Sequence, residues 1–525
     1  MGVERQRERE RYARDLASKA PPGMVAEATA ARLAGDWRGA CRAAQVDVQL
    51  DLGQVTRRFG AAEAARIEAD LAGFAPDYLR LHLRYDDELA LWPHGQVLLS
   101  RRPEPFARPG RIRHQATPVL LVTLPSSGTV AQRLTLRVAD LDTLAGTWDD
   151  LPAWAWHADA VADRRWAYGA SESRLPWHPA AGAGDSPSPA DRAGEFERLL
   201  APVPLEQIGD VFRSGGVDTG QRAARLHVSY GLRRLQPMLP LLAAEARRLA
   251  HRYGAVLPRT NGRLSFGLPE YFTVLTVTPA GALVLATQRP DHSGPGPAGI
   301  AVSAPLDAAL LRWGTLTPEQ LHPLVQEALF PGRPAQWQPA LPDPYTNVLV
   351  RCGKDWHTVE VAGASLLTPH HDDAEVRRQL LVERLGGRPN GCTAALKAFR
   401  TGKKPIPKDV RRARQRIVAR AFHGDTEAVL TDLRAGTDPL LRFPDGRTFM
   451  HLLAHVDHRR VLPLLLRAGF ALEDRDRHGQ TPLHAAALSN AEPVMAALIE
   501  AGADRRAVDA DGLTAAALLA RARAI

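Results

Sequence analysis

The sequence predicts an α+β multidomain protein, with a mixed α/β N-terminal region followed by a C-terminal all-α repeat stack. Two observations predict this fold class. In the last fifth of the chain, glycines recur every 33 residues in two interleaved series, which are Gly446, Gly479 and Gly512, and Gly436, Gly469 and Gly502. A fixed period of this size indicates one supersecondary unit that is copied and stacked. Before residue 363, alternating strand patterns are mixed with helical ones, as in α+β domains.

The N-terminal region carries its own pattern of strands and helices. Residues 46–52 alternate as a strand does, and helical periodicity covers 61–74, 76–83 and 239–253. Turn residues predict four hairpins or strand pairs, which join 88–92 to 96–100, 119–123 to 133–138, 271–277 to 282–287, and 348–352 to 358–361. A capping box at Thr317 and Gln320 opens a helix that should run to residue 329.

Shifts in composition divide the chain into six parts. Residues 1–24 form a charged N-terminal tail, either mobile or an exposed helix, and translation could start at Met1 or at Met24. The others are an α+β domain with a tryptophan-rich end at 25–177, a Pro/Ala/Gly linker at 178–194, a second α+β domain at 195–362, a helical basic connector at 363–408, and the repeat domain at 409–525.

The repeat unit is best formed around residue 481. Thr481 is placed to cap a helix, Pro482 stands at the first helical position, and Leu483 begins a buried face. A second helix follows over 492–500 and ends at Gly502, where a positive φ is needed. The unit is therefore a turn, two helices and a glycine stop.

This unit resembles the ankyrin repeat, whose Thr-Pro-Leu-His signature stands here as Thr481, Pro482, Leu483 and His484. The preceding copy keeps Thr448 and His451 but lacks the proline, and the last copy stops after one helix. The resemblance covers about residues 409–525 and implies structural roles for Gly446, Thr448, His451, Gly469, Gly479, Thr481, Pro482, Leu483, His484, Gly502 and Gly512.

The resemblance also implies function, because ankyrin stacks bind proteins through turn tips and exposed positions of the first helices. Carried onto this sequence, the partner-binding positions are Arg447, His455, Val456, Arg477, His478, Gln480, Leu488 and Ser489. The first expectation is therefore a protein that binds a protein partner. The alternatives are an enzyme of unrecognised class in residues 25–345 with the repeats as a targeting arm, and nucleic-acid association through residues 397–420.

The basic segment 397–420 holds ten basic residues and one acid, Asp409. Its candidate anion-binding residues are Lys403, Lys404, Lys408, Arg411 and Arg412. Three interpretations stay open: a solvated cap on the first repeat, a site for an acidic protein, and a nucleic-acid site. The cap is favoured, because a terminal repeat needs a polar outer face.

Composition places the chain among ordinary globular proteins, with bacterial-like abundance of arginine over lysine. No run of 18 apolar residues is present, so no membrane partner is expected, and the predicted location is cytoplasmic. Cys41, Cys352 and Cys392 lie far apart without metal-ligand spacing, which predicts a reducing compartment and no disulfide framework. The chain shows no catalytic motif, so no catalytic residue, metal or cofactor is expected. His370, His371, Asp372 and Asp373 offer metal-ligand side chains, but adjacent residues at one helix start rarely converge on one ion, and His451 is interpreted as a structural histidine.

Overall fold

A computed structural model gives the architecture of the chain. It describes residues 2–86, 89–101, 116–125, 132–171, 175, 192–201, 203–219, 232–233, 235–253, 264–268, 273–278, 280–287, 294–297, 305–333, 337–338, 345–403 and 406–524. Within these residues the helices are α1 Gly2–Lys19, α2 Pro22–Leu33, α3 Trp37–Ala43, α4 Leu52–Phe59, α5 Ala61–Ala72, α6 Pro76–Leu81, α7 Val161–Ala167, α8 Arg192–Leu200, α9 Ile208–Ser214, α10 Leu239–Tyr253, α11 Leu306–Arg312, α12 Pro323–Leu329, α13 Asp373–Arg384, α14 Gly391–Thr401, α15 Lys408–Phe422, α16 Thr426–Ala435, α17 His458–Arg467, α18 Pro482–Leu488, α19 Glu492–Glu500 and α20 Ala515–Ala524.

The strands form three sheets. They are β1 Val46–Gln49, β2 Gln96–Leu99, β3 Pro118–Thr123, β4 Leu134–Asp140, β5 Thr147–Leu151, β6 Val217–Asp218, β7 Leu264–Leu268, β8 Thr273–Val277, β9 Leu283–Thr287, β10 Gly294–Pro297, β11 Tyr345–Cys352, β12 Asp355–Ala362 and β13 Ser365–Leu367. The sheet orders are β1-β4-β3-β2-β5-β10, β6-β9-β8-β7 and β11-β12-β13. Among the described residues the fold class is therefore as predicted, mixed α/β before an all-α C-terminal stack.

The six-stranded sheet is buried on both faces. In β3, Leu120 and Val122 pack into one hydrophobic core, while Val119 and Leu121 pack into another. Side chains on successive strand residues point to opposite faces, so one apolar strand supplies both cores. Helices α2 to α7 cover the first face together with α11 and α12, and α8 to α10 cover the second. Residues 306–329 thus pack with residues 24–175 rather than with the rest of the predicted domain 195–362.

Two sequence-based details differ in the structure. The predicted pairing of residues 88–92 with 96–100 is wrong, because β2 pairs antiparallel with β3 and parallel with β5; Glu88 itself lies outside the described residues. The helix predicted from Thr317 to residue 329 is broken into a 3-10 turn, Pro318–Gln320, and α12. His322 separates them, and its side chain caps α12 by accepting from the Leu324 amide.

The small sheet β11-β12-β13 belongs with the repeats. Val350 and Val361 of this sheet lie in the same hydrophobic core as Phe399 of α14, Ile417 of α15 and Leu465 of α17. That core continues to Leu518 in α20. Residues 345–403 therefore cover the N-terminal end of the stack. The sequence-based prediction places them partly in the second α+β domain and partly in the basic connector. The domain limits themselves stay predictions.

The N-terminal segment is a helix, and it is packed. Tyr12 and Leu16 of α1 lie against the first core, and Ser18 is buried. Helix α1 contacts α6, α11 and α15, so it lies between the N-terminal region and the stack. Of the two forms predicted for residues 1–24, the helix is observed, and it is not an exposed one. In the described part of the chain, no helix has the length and apolar character to cross a bilayer.

Candidate functional site

The repeats are locked together by one hydrogen-bond pattern that occurs twice. In the unit at 481, the Thr481 hydroxyl lies 2.8 Å from His484 Nδ1, and His484 Nε2 lies 3.1 Å from the Leu513 carbonyl oxygen. One unit earlier, Thr448 and His451 repeat the arrangement, and His451 Nε2 lies 3.1 Å from the Gln480 carbonyl oxygen. Each histidine caps its own helix and binds the following turn. Burial lowers the pKa of His451 below its usual range, so the ring that makes these bonds is neutral at pH 7.

The turn tips form a second ladder between units. The Arg477 amide donates to the Asp445 carbonyl over 2.7 Å, and the Ala510 amide donates to the His478 carbonyl over 2.9 Å. Gly479 has a φ of +69°, and a Cβ there would lie 2.9 Å from the Ala510 amide nitrogen. Backbone contact at this distance leaves room for glycine alone at this position. Gly446 and Gly512 share its positive φ, at +80° and +75°, so the conformation of the turn accounts for the period of this glycine series.

Four of the eight predicted partner-binding residues are exposed. Arg477 and His478 lie on a turn tip, and Leu488 and Ser489 lie at the end of α18. The Arg477 side chain is 71% exposed, and Leu488 is 46% exposed although it is apolar. We call these four residues the free rim.

The other four lie at contacts inside the protein. His455 is buried, its ring lies 6.2 Å from that of Phe422, and burial lowers its pKa to about 3. Arg447 is 17% exposed beside Asp476, Val456 packs against the core, and the Gln480 carbonyl accepts from His451. The prediction of His455 as a partner-contacting side chain is therefore wrong for this conformation, because the ring is turned into the protein.

The N-terminal region covers this part of the stack. The Gln132 amide donates to the Phe422 carbonyl over 3.2 Å, and His423 Nε2 lies 2.8 Å from the Leu89 carbonyl oxygen. The side chain of Gln45 lies close to Gly424, where an added Cβ would meet its amide nitrogen at 2.8 Å. The N-terminal region of the same chain therefore covers the first units. The free rim lies outside this contact.

The basic side chains of residues 397–420 fall into two groups, one buried and one at the surface. Arg414, Arg416 and Arg420 are buried, and Arg420 pairs with Asp432 over 2.6 Å. Arg414 donates to the Phe399 carbonyl over 2.5 Å, and Arg416 donates to the Thr346 hydroxyl over 3.2 Å. The interpretation of α15 as a solvated cap is therefore wrong for these three arginines, since α1, α14 and β11 pack on it.

The candidate anion-binding residues remain at the surface where they are described. Lys403, Lys408 and Arg411 are exposed, and Lys404 lies outside the described residues. Arg412 is half-buried and lies 3.3 Å from Asp409. Arg411 and Arg412 line a cavity of about 860 Å³, together with residues of α1 and with Asp86, Leu89 and Ala90.

Polar groups are also buried inside the N-terminal region. His322 Nε2 lies 2.9 Å from Asp77 Oδ2, and the Tyr168 hydroxyl donates to Asp307 over 2.8 Å. Burial raises the pKa of Asp307 to about 6. All four side chains are buried, and each is paired with its own partner, so these two pairs do not form an open active site.

Four further side chains, which the sequence does not predict as one group, bring ligand-type atoms together. Cys352, His357, His371 and Cys392 each bring one nitrogen or sulfur atom into a group whose members all lie within 4.8 Å of one another. Burial, with Cys352 and Glu375 adding to it, raises the pKa of Cys392 to about 12. The available signal was the hairpin at 348–361, which brings Cys352 near His357, and two helix starts that place His371 and Cys392. The approach of the second cysteine, 40 residues after the first, could not be read from spacing.

Comparison with known families bears on the stack alone. Residues 417–509 match a family model described as ankyrin repeats, in three copies. The C-terminal stack is thus built of ankyrin repeats, and such repeats indicate protein–protein interaction in general. No family model matches the N-terminal region. No curated protein matches the chain.

Proposed function

We propose that this ankyrin-repeat stack binds a protein partner through the free rim, while its first units hold the chain's own N-terminal region. The observation that carries the proposal is the difference in burial between equivalent positions of successive units. Val456 and His455 are packed inward at the end of the 3-10 helix Phe449–His455, which is the first helix of its unit. Leu488 and Ser489 are exposed at the end of α18, the first helix of the next unit.

The chemistry of the free rim indicates the kind of partner. Leu488 offers an apolar contact at the end of α18, and Arg477 and His478 offer cationic or donor groups on the turn tip. Arg477 lies 3.6 Å from Asp445 in an exposed pair, which is worth at most about 1 kcal/mol. A partner carboxylate can displace such a pair at little cost. The best fit is a protein surface with an apolar side chain flanked by acidic ones.

The proposal is tested by comparing two double variants of the full chain as baits. Arg477→Glu with Leu488→Asp changes the free rim, and Arg467→Glu with Leu466→Asp makes the same changes at exposed positions on the second helix of the preceding unit. Each of these exposed substitutions changes the free energy of unfolding by about 1 kcal/mol or less, so both baits stay folded. Proteins retained by the wild type and the second variant, but not by the first, are the expected result. A set retained equally by both variants would contradict the proposal.

The two alternative functions, nucleic-acid association and an enzyme, would depend on different residues. Nucleic-acid association would rest on Lys403, Lys408, Arg411 and Arg412, because the other arginines of α15 are committed to internal contacts. Its affinity should therefore show a shallow dependence on salt, with few phosphates contacted. An enzyme in residues 25–345 stays a prediction without a site assigned to it.

A further inference from the structure

We propose that Cys352, His357, His371 and Cys392 bind one Zn²⁺ ion in a closed tetrahedral site. The inference is independent of the proposed binding function, since it concerns side chains away from the free rim. It follows from the positions of four ligand-type atoms, from the groups behind them, and from the weak apolar support of the helix that one of them anchors.

The distances fit a single tetrahedral metal. His357 Nδ1 lies 3.0 Å from His371 Nε2, Cys352 Sγ lies 3.4 Å from His371 Nε2, and Cys392 Sγ lies 3.6 Å from His357 Nδ1. A regular tetrahedron with ordinary zinc bond lengths separates two nitrogens by about 3.3 Å, nitrogen and sulfur by about 3.6 Å, and two sulfurs by about 3.8 Å. The three distances lie within a few tenths of an ångström of these values.

The His371 nitrogen that points away from the centre has a carboxylate beside it, as in many zinc sites. His371 Nδ1 lies 3.0 Å from Glu375 Oε2, one turn along α13. A carboxylate at this position favours the proton on Nδ1, which leaves the Nε2 lone pair free for a metal. The His357 ring stacks on His370, with centroids 4.6 Å apart and planes inclined by 27°, which fixes its orientation. Both imidazoles are therefore held with a nitrogen toward the common centre.

The backbone brings the ligands together from one hairpin and two helix starts. Cys352 ends β11 and His357 lies in β12 across a tight turn, where Gly353 has a φ of +69°. His371 immediately precedes Asp372, which caps α13, and Cys392 is the second residue of α14. A Cβ at Gly391 would lie 1.9 Å from the Arg351 carbonyl oxygen, so the start of α14 is pressed against β11. This close approach is what carries Cys392 to Cys352.

The ligand set selects the ion and its role. Two thiolates and two imidazoles converging on one centre suit Zn²⁺, whereas Mg²⁺ and Ca²⁺ prefer oxygen. Protein atoms fill all four positions, which is typical of a structural site and leaves no coordination position for a substrate. Binding would release the protons of the two thiols, so affinity falls as pH falls.

Such a metal would supply an anchor that apolar packing does not. In α13 only Val376 is buried and Leu380 is partly buried against the core, while Leu381, Val382 and Leu385 at its end are 56%, 42% and 84% exposed. One buried valine and one partly buried leucine contribute about 3 kcal/mol, which is little for twelve ordered residues. A metal bond through His371 would fasten α13 to the sheet. This sheet shares the core of the repeats, so the ion would stabilise the sheet and helices that cover the N-terminal end of the stack.

The experiment measures metal content in the full-length protein, purified with reductant from zinc-supplemented cells. We expect about one zinc per chain in the wild type, and about the same in His478→Ala and Cys41→Ser, which change a histidine and a cysteine outside the cluster. His371→Ala and Cys392→Ser should lose most of the zinc. Zinc near zero in the wild type, or equal zinc in all variants, would overturn the proposal.

A second measurement covers variants that fail to fold. Chelator-treated wild type, reloaded with Co²⁺ alone, should show the intense visible bands of tetrahedral thiolate-bound cobalt, and the melting temperature lost on chelation should return with Zn²⁺ but not with Mg²⁺. No such spectrum, or a Cys352–Cys392 disulfide found by mass spectrometry of the reductant-treated protein, would show that the four side chains are not a zinc site.

Discussion

Arg80 in α6 and His423 at the end of α15 share a hydrogen bond of 3.2 Å, from the guanidinium to Nδ1, in a fully buried position. The bond fixes the state of the histidine, because Nδ1 must accept and Nε2 therefore carries the proton toward the Leu89 carbonyl. Burial, and then the charge of Arg80, lower the pKa of His423 to about 3, which keeps the ring neutral. This pair joins the N-terminal region to the first repeat.

Replacing Arg80 should loosen that junction. Besides His423, its guanidinium donates to the carbonyls of Ala44, over 2.9 Å, and Gln132. Arg80→Leu leaves these buried acceptors without a donor, and we expect a loss of about 3 kcal/mol or more in the free energy of unfolding. Denaturant titration measures it. Arg84→Leu, at a side chain 43% exposed and paired with Asp149, is the control and should cost less than about 1 kcal/mol. Equal losses would argue against the junction.

The two structural histidines should contribute equally to the stack. His484→Ala and His451→Ala each leave a buried threonine hydroxyl and a carbonyl of the next turn without their partner. We expect about 1–3 kcal/mol of destabilisation for each. His478→Ala, on the free rim, should leave the free energy of unfolding within about 0.5 kcal/mol of the wild type. A neutral result at His484 would mean that the ladder does not stabilise the stack.

The stack was predictable from sequence for a local reason. The threonine, histidine and glycine of each unit act on residues of the same or the next copy, so a period of 33 residues exposes them together. The Cys352–Cys392 approach has no such local signal, because it depends on Gly391 meeting a strand 40 residues earlier. The repeat pattern predicts His455 as an exposed partner contact. Its burial against Phe422 comes from packing between units, which the repeat pattern does not show. Contacts between distant segments are what a single sequence does not show.

Acid should weaken the protein partly through His455. Its folded pKa of about 3 lies below the ordinary 6.5, with burial as the main cause and Arg447 and Arg133 adding to it. The unfolded chain takes up a proton below about pH 6.5 and the folded one does not, so stability is lost as pH falls from about 6.5 towards 3. This group accounts for about 1 kcal/mol of the loss between pH 7.5 and 5.5.

His455→Gln cannot titrate, so its free energy of unfolding should fall by about 1 kcal/mol less than that of the wild type over the same interval. The comparison uses denaturant titrations of both proteins at pH 7.5 and 5.5. Asp425 opposes the trend, because burial raises its pKa to about 6, but its contribution is common to both proteins and cancels in the difference. A His455→Gln profile parallel to the wild type would show that this ring is not the titrating group.

Gly391 should tolerate no side chain, whether or not a metal binds beside it. An alanine Cβ would lie 1.9 Å from the Arg351 carbonyl oxygen and 3.3 Å from a Val350 methyl, so α14 would have to move off β11. We expect Gly391→Ala to lower the free energy of unfolding by about 1–3 kcal/mol. Gly23, near the start of α2, is the matched control, because a Cβ added there would have no neighbouring atom within 4 Å. There alanine removes a weak helix former and should be neutral or stabilising by up to about 1 kcal/mol. Equal effects at the two glycines, measured by denaturant titration, would mean that α14 does not rest on the strand as described.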